Sequence, residues 1–136
     1  MSAEADIFDA LFSRVEDLTF SPPIPVAWPN YKYTPVVGQK YIEARQLPND
    51  TNRIMINGTT DRLMGILMLT LNFPINYGEE LAKEDVDTII DHFATDLRLS
   101  SGDTQLRITK RPSPRQGLNM DGWWKIPILI DYEAFA

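Results

Sequence analysis

The stretch Leu63-Met64-Gly65-Ile66-Leu67-Met68-Leu69-Thr70-Leu71-Asn72-Phe73 decides the fold. Side chains on a strand alternate between two faces, so Leu63, Gly65, Leu67, Leu69, Leu71 and Phe73 share one face. Met64, Ile66 and Met68 share the other, followed by the polar Thr70 and Asn72. Leu and Met also favour helices. Gly65 disfavours one, and Asn72 to Pro74 closes the run, so the pattern predicts a long strand. A sheet covered on one side alternates apolar with polar side chains. This strand does not alternate over its first half, so Met64, Ile66 and Met68 need cover. A contiguous apolar patch marks an interface, and methionines suit adaptable contacts. The expected cover is an arm of the same chain together with another subunit, and not a second helical layer. The plain alternative is a central strand sandwiched within one domain.

The surrounding segments fill in an α+β pattern. Residues Ala3 to Leu18 predict a helix with Ile7, Phe8, Leu11, Phe12 and Val15 on one stripe. Ser2 can cap its start, and Glu4 and Asp6 suit its positive end. From about residue 21 to 35, Pro22, Pro23, Pro25, Pro29 and Pro35 exclude a regular element. Interleaved with Val26, Trp28, Tyr31 and Tyr33, they predict an extended arm that packs its aromatics onto its own domain or a neighbour. Lys40 to Leu47 predicts a strand, and Arg53 to Asn57 a short one closed by Asn57-Gly58. Glu79 to Leu97 carries Ala82, Val86, Ile89, Ile90, Phe93 and Leu97 at helical spacing with an acidic opposite face. Ser100 to Asp103 reads as a break, and Thr104 to Lys110 as a strand. Pro112 to Asp121 reads as a loop, and Trp123 to Tyr132 as a last strand with Pro127 at an edge or bulge. The expectation is one domain over residues 1–136. It is a mostly antiparallel sheet with two helices packed on one face.

Composition narrows the chemistry. The chain holds 136 residues, no cysteine and one histidine, with a net charge of −6. A disulfide framework, a zinc-thiolate site and an iron–sulfur cluster are excluded. No apolar run reaches the ~20 residues of a membrane span, and the acidic start is not a signal peptide. The expectation is a soluble, intracellular protein, with the Asn49 and Asn57 sequons as chance matches. Net acidity argues against specific nucleic-acid binding. Arg98, Arg107, Lys110, Arg111 and Arg115 form a local exception against the single acid Asp103. They read either as a solvated strand and loop or as a basic patch meeting an acidic patch on another subunit.

Catalytic constellations are missing. His92 has no second histidine or cysteine to work with and reads as a solvated or capping helix histidine. Glu80, Glu84, Asp87 and Asp91 follow helical spacing, as solvated acidic faces do. No Gly-x-Ser-x-Gly elbow or phosphate-binding glycine loop occurs. Two carboxylates suffice for a glycosidase, yet no pair is singled out. The expectation is no enzyme, no cofactor and no metal. Trp28, Tyr31, Tyr33, Trp123 and Trp124 allow a non-catalytic platform for a sugar or peptide. Packing is the simpler reading, with Trp124 in the core and Trp123 as the surface anchor. The candidate subunit interface is therefore Met64, Ile66, Met68, Trp28, Tyr31, Trp123, Arg107, Lys110, Arg111 and Arg115.

Four places carry a family resemblance. A helix leads into Pro25-Val26-Ala27-Trp28-Pro29-Asn30. The strand Tyr41-Ile42-Glu43-Ala44 ends at Leu47-Pro48. Gly65-Ile66-Leu67 runs through Phe73-Pro74 into the helix ending at His92-Phe93. The end reads Gly122-Trp123-Trp124-Lys125-Ile126-Pro127-Ile128-Leu129-Ile130-Asp131-Tyr132. The layout resembles the tail-terminator-like proteins of long-tailed bacteriophages and prophages. That resemblance implies a virion protein, assembled in the host cytoplasm, at the tail end in the neck region. Its implied partners are itself in a hexameric ring, the major tail tube protein and a head-completion or connector protein. The ring would cap the tube, stop its polymerisation and offer a head-joining surface. An acidic lumen would pass DNA without holding it. A neck or head-completion protein would leave a similar signature.

Overall fold

A computed structural model describes residues 3–18, 20, 24–28, 34–35, 38–48, 52–54, 60–74, 78–102, 104–120 and 122–135. The elements run α1 (Ala3–Glu16), β1 (Val26–Ala27), β2 (Tyr41–Pro48), β3 (Asn52–Ile54), β4 (Thr60–Pro74), α2 (Glu79–His92), β5 (Arg98–Ser101), β6 (Thr104–Ile108), β7 (Ser113–Pro114), β8 (Leu118–Met120) and β9 (Trp123–Phe135). The fold is α+β, and its strands join one nine-stranded sheet in the order β1-β2-β4-β9-β6-β5. β3 adds to β4, and β7 and β8 add to β9. Among the described strands, only β1 on β2 is parallel.

The deciding stretch is the axis of this sheet. β4 pairs with β9 from Arg62↔Phe135 to Pro74↔Trp123, and on its other side with β2 from Tyr41↔Asn72 to Pro48↔Gly65. With partners on both sides, its apolar residues are taken from water without leaving backbone groups unpaired. Leu67, Leu69, Leu71 and Phe73 are fully buried. They form one core cluster with Ile7, Leu11, Phe12 and Val15 of α1 and Ala82, Val86, Ile89, Ile90 and Phe93 of α2. Ile126, Ile128, Ile130 and Tyr132 of β9 belong to it as well. The helical spacing read from the sequence thus marks the buried stripe of each helix. Phe8 is the exception, 45% exposed although it reads as part of the stripe.

The largest departures from the sequence reading lie after α2 and along β9. α2 stops at His92 instead of Leu97, because the chain turns at Asp96 (φ 68) to join the sheet. Asp96 N–H donates to the Ile108 carbonyl at 2.9 Å, and Ile108 N–H donates to the Leu97 carbonyl at 2.9 Å. Arg98 to Ser101 then continues as β5 instead of a break. The segment read as a loop contributes β7 and β8, which extend the sheet beyond β6 along β9. β9 is therefore an interior strand, and the edge expected from Pro127 is not there. Its register with β4 runs unbroken through Thr70↔Pro127. A strand residue directs N and C=O to the same side. The Pro127 carbonyl accepts from Arg115 N–H at 2.8 Å, so the missing N–H falls between β7 and β8 and takes no bond from β4. In the Arg53–Asn57 strand, only residues up to Ile54 lie within the described set.

Polar side chains fix the helices. Asp6, read as complementing the α1 dipole, is buried and faces the β5–β6 turn. It accepts from Thr104 Oγ1 at 3.1 Å, while exposed Asp9 accepts from Ser101 Oγ at 2.7 Å. Gly102 (φ +56) leaves the room, since a Cβ there would lie 2.9 Å from both Asp6 carboxylate oxygens. At the other end the two helices hold each other. Arg14 Nη2 donates to the His92 carbonyl at 2.9 Å, and His92 Nε2 lies 2.7 Å from the Arg14 carbonyl. His92 therefore serves as a cap on one carbonyl, that of Arg14, in the last turn of the other helix.

That junction sets a pH dependence. Burial lowers the His92 pKa below its ordinary 6.5, against the opposing hydrogen bond to Arg14, and the Arg14 charge lowers it further. The unfolded chain then binds a proton that the folded chain resists, so stability rises with pH in this range. The contribution is fully present above about pH 6.5 and lost as pH falls through the lower folded value. Chemical denaturation of the wild type and His92→Gln should diverge: between pH 7 and 5 the wild type loses more stability. Parallel curves would remove His92 from the account.

Candidate functional site

The face of the sheet opposite the core cluster is built row by row from strand register, since directly opposed residues share a face. Leu47, Ile66 and Asp131 make one row, and Arg45, Met68 and Leu129 the next. Met64 lies opposite Glu133, which lies opposite Arg107. Tyr41, Asn72 and Lys125 make the far row. Met64, Ile66, Met68 and Leu129 are half-buried and Leu47 is 40% exposed. None of them belongs to the core cluster or to the side chains packed against it. They form an apolar stripe across three strands.

Ion pairs rim this stripe. Arg107 donates to Glu133 Oε1 from Nε at 3.1 Å and Nη2 at 2.7 Å, and from Nη1 to Asp96. These bonds, to Glu133 first and Asp96 second, raise its pKa above the ordinary guanidinium value. Lys110 pairs with Asp131 at 2.8 Å. Lys125 reaches over β4 to Glu43 of β2 at 2.9 Å. The rim thus presents neutralised charge beside apolar side chains.

The remaining candidates lie in several places. Trp28 is half-buried and meets Phe12 edge-on at 5.5 Å, packing against the core. Trp123 is half-buried and meets Tyr41 edge-on at 5.1 Å, while Trp124 packs against the core. Tyr31 lies outside the described residues. The basic run is divided: Arg107 and Lys110 join the sheet rim, while Arg111 and Arg115 are exposed beside α2. Two exposed residues were not anticipated. Leu118 and Met120 of β8, 51% and 49% exposed, border a trough of about 690 Å³ that also takes in Trp28, Pro35, Met68 and Pro127. Their alternation inside a proline- and glycine-rich stretch was the available signal.

Among the described residues, no group of three or more His, Asp or Glu side chains could hold a metal ion. No described helix is long and apolar enough to cross a membrane. What the geometry defines is a small α+β sheet protein with one face packed and an apolar stripe on the other. A family model described as phage tail terminator protein matches residues 6–132. The chain belongs to that family, and is accordingly a structural component of a bacteriophage tail. A solved structure whose designation states no function superimposes with a TM-score of 0.80 at 26% identity, covering 98% of this chain and 96% of its own. Comparison with curated proteins returns no match.

Proposed function

We propose that copies of this protein form a ring, hexameric as the family resemblance implies, that caps the tail tube and ends its polymerisation. The ring then offers the surface for a head-completion or connector protein, at the neck end of the tail. In this reading both helices cover the Leu67 face, and the Met64 face is left for contact with a neighbouring copy or the major tail tube protein. The observation that carries it is the apolar stripe of Leu47, Met64, Ile66, Met68 and Leu129, which stands outside the core cluster. Such a stripe favours burial against another molecule. The net charge of −6 suits a ring around passing DNA. Trp28 and Trp123 each meet an aromatic of their own chain edge-on, so the ligand-platform alternative gains no support.

The test is tail length by electron microscopy. A phage lacking the protein should build overlong, headless tubes, and the wild-type protein should restore length. The double variant Ile66→Lys and Met68→Lys should fold, since both side chains are only half-buried, and should fail to restore length. Normal tails in the absence of the protein would overturn the reading.

A further inference from the structure

A groove of about 640 Å³ lies between α2 and the β7–β9 region. Val86, Ile90 and Trp124 give it apolar walls, and Lys83, Arg111 and Arg115 bring three cations to it. Among the described residues, Asp87 is the one acid lining it. The three cations are exposed. Among the described residues they make no ion pair, whereas Lys40, Arg107, Lys110 and Lys125 are all paired. The outer side of α1 presents the complement. Phe8 stands 45% exposed there, braced edge-on by Phe12 at 4.2 Å. Asp9 adjoins it and Glu16 follows two turns on, both exposed.

We infer that the groove receives the outer face of α1 from a second copy of this chain. Phe8 would enter between Trp124 and α2, while Asp9 and Glu16 meet Arg111, Arg115 and Lys83. Charge complementarity points to this occupant. A chain of net charge −6 gathers three exposed cations at one groove and sets acids beside an exposed aromatic ring elsewhere. An aromatic anchor in a pocket ringed by opposite charge is the arrangement of a strong contact. The two surfaces share no residue, so the contact is head-to-tail and leaves each copy with a groove at one end and a helix face at the other. This deepens the proposed ring and rests on it only for closure, because head-to-tail contacts otherwise continue as a filament.

The test uses two variants of the full chain, followed by sedimentation velocity. Phe8→Asp spoils the helix face and keeps the groove. The double variant Arg111→Glu and Arg115→Glu spoils the groove and keeps the helix face. The wild type should assemble with rising concentration, and more weakly at high salt. Each variant alone should weaken assembly about 30-fold or more. Mixed together they should form a one-to-one dimer that grows no further, because one intact contact remains. Glu16→Arg provides a second helix-face variant should Phe8→Asp fail to give a native circular dichroism spectrum. The inference is overturned if either variant assembles like the wild type, if the mixture stays monomeric, or if the wild type is monomeric at every concentration. Its failure is distinct from failure of the ring reading, which tail length decides.

Discussion

Replacing Gly65 with alanine is expected to lower stability by about 1–3 kcal/mol, the usual penalty for overfilling a packed site. Gly65 lies opposite Tyr132 in the β4–β9 register. The tyrosine ring crosses over it, and Tyr132 Oη accepts a hydrogen bond from Gln46 Nε2 of β2 at 2.9 Å. A Cβ at Gly65 would lie 2.4 Å from Tyr132 Oη, 2.7 Å from Cζ and 2.9 Å from the Leu47 carbonyl oxygen. The carbonyl is held in the β2–β4 pairing, and Tyr132 is buried, so neither yields cheaply. The urea midpoint should fall with the slope unchanged. Adding Tyr132→Phe removes the nearest atom, so the double variant should lose less than the sum of the two single changes. A neutral Gly65→Ala would show that the ring does not lie over the strand.

Phe73→Ala should have a larger effect, a loss of about 3–5 kcal/mol. Phe73 is fully buried at the end of β4, opposite Trp124 and inside the core cluster. Removing its ring opens a cavity that two paired strands cannot collapse around. Met64→Ala on the other face of the same strand should cost about 1 kcal/mol, since that side chain is half-buried in the isolated chain. The contrast is best read in chemical denaturation of the monomer. Equal losses would mean that both faces of β4 are core, and the stripe would then be no surface for a neighbour.

Periodicity made much of this fold legible. The central strand, the buried stripes of both helices and the last strand follow from apolar spacing at Leu67 to Phe73, Ile7 to Val15, Ala82 to Phe93 and Trp124 to Tyr132. The places that escaped were set by long-range partners. Arg98 to Ser101 is a strand because β6 lies beside it, and Leu118 to Met120 because β9 does. Arg98 to Ser101 holds nothing that distinguishes it from a loop, and Leu118 to Met120 holds only one apolar alternation. Pro127 argued for an edge, yet its strand is interior, with the missing N–H placed between β7 and β8.

The candidate surface shows the same division. The two-faced pattern of Leu63 to Phe73 was written in consecutive residues, and the stripe of Met64, Ile66 and Met68 followed from it. Absence of cysteine and a single histidine likewise bounded the chemistry by composition alone. Only the tertiary structure joined Leu47 and Leu129 to that stripe, because strand order brings β2 and β9 to either side of β4. It alone split the basic run, pairing Arg107 and Lys110 with Glu133 and Asp131 and leaving Arg111 and Arg115 beside α2. The physical reason is range. Side-chain alternation is a property of neighbouring residues, whereas an ion pair or a groove depends on which distant segments the sheet sets side by side.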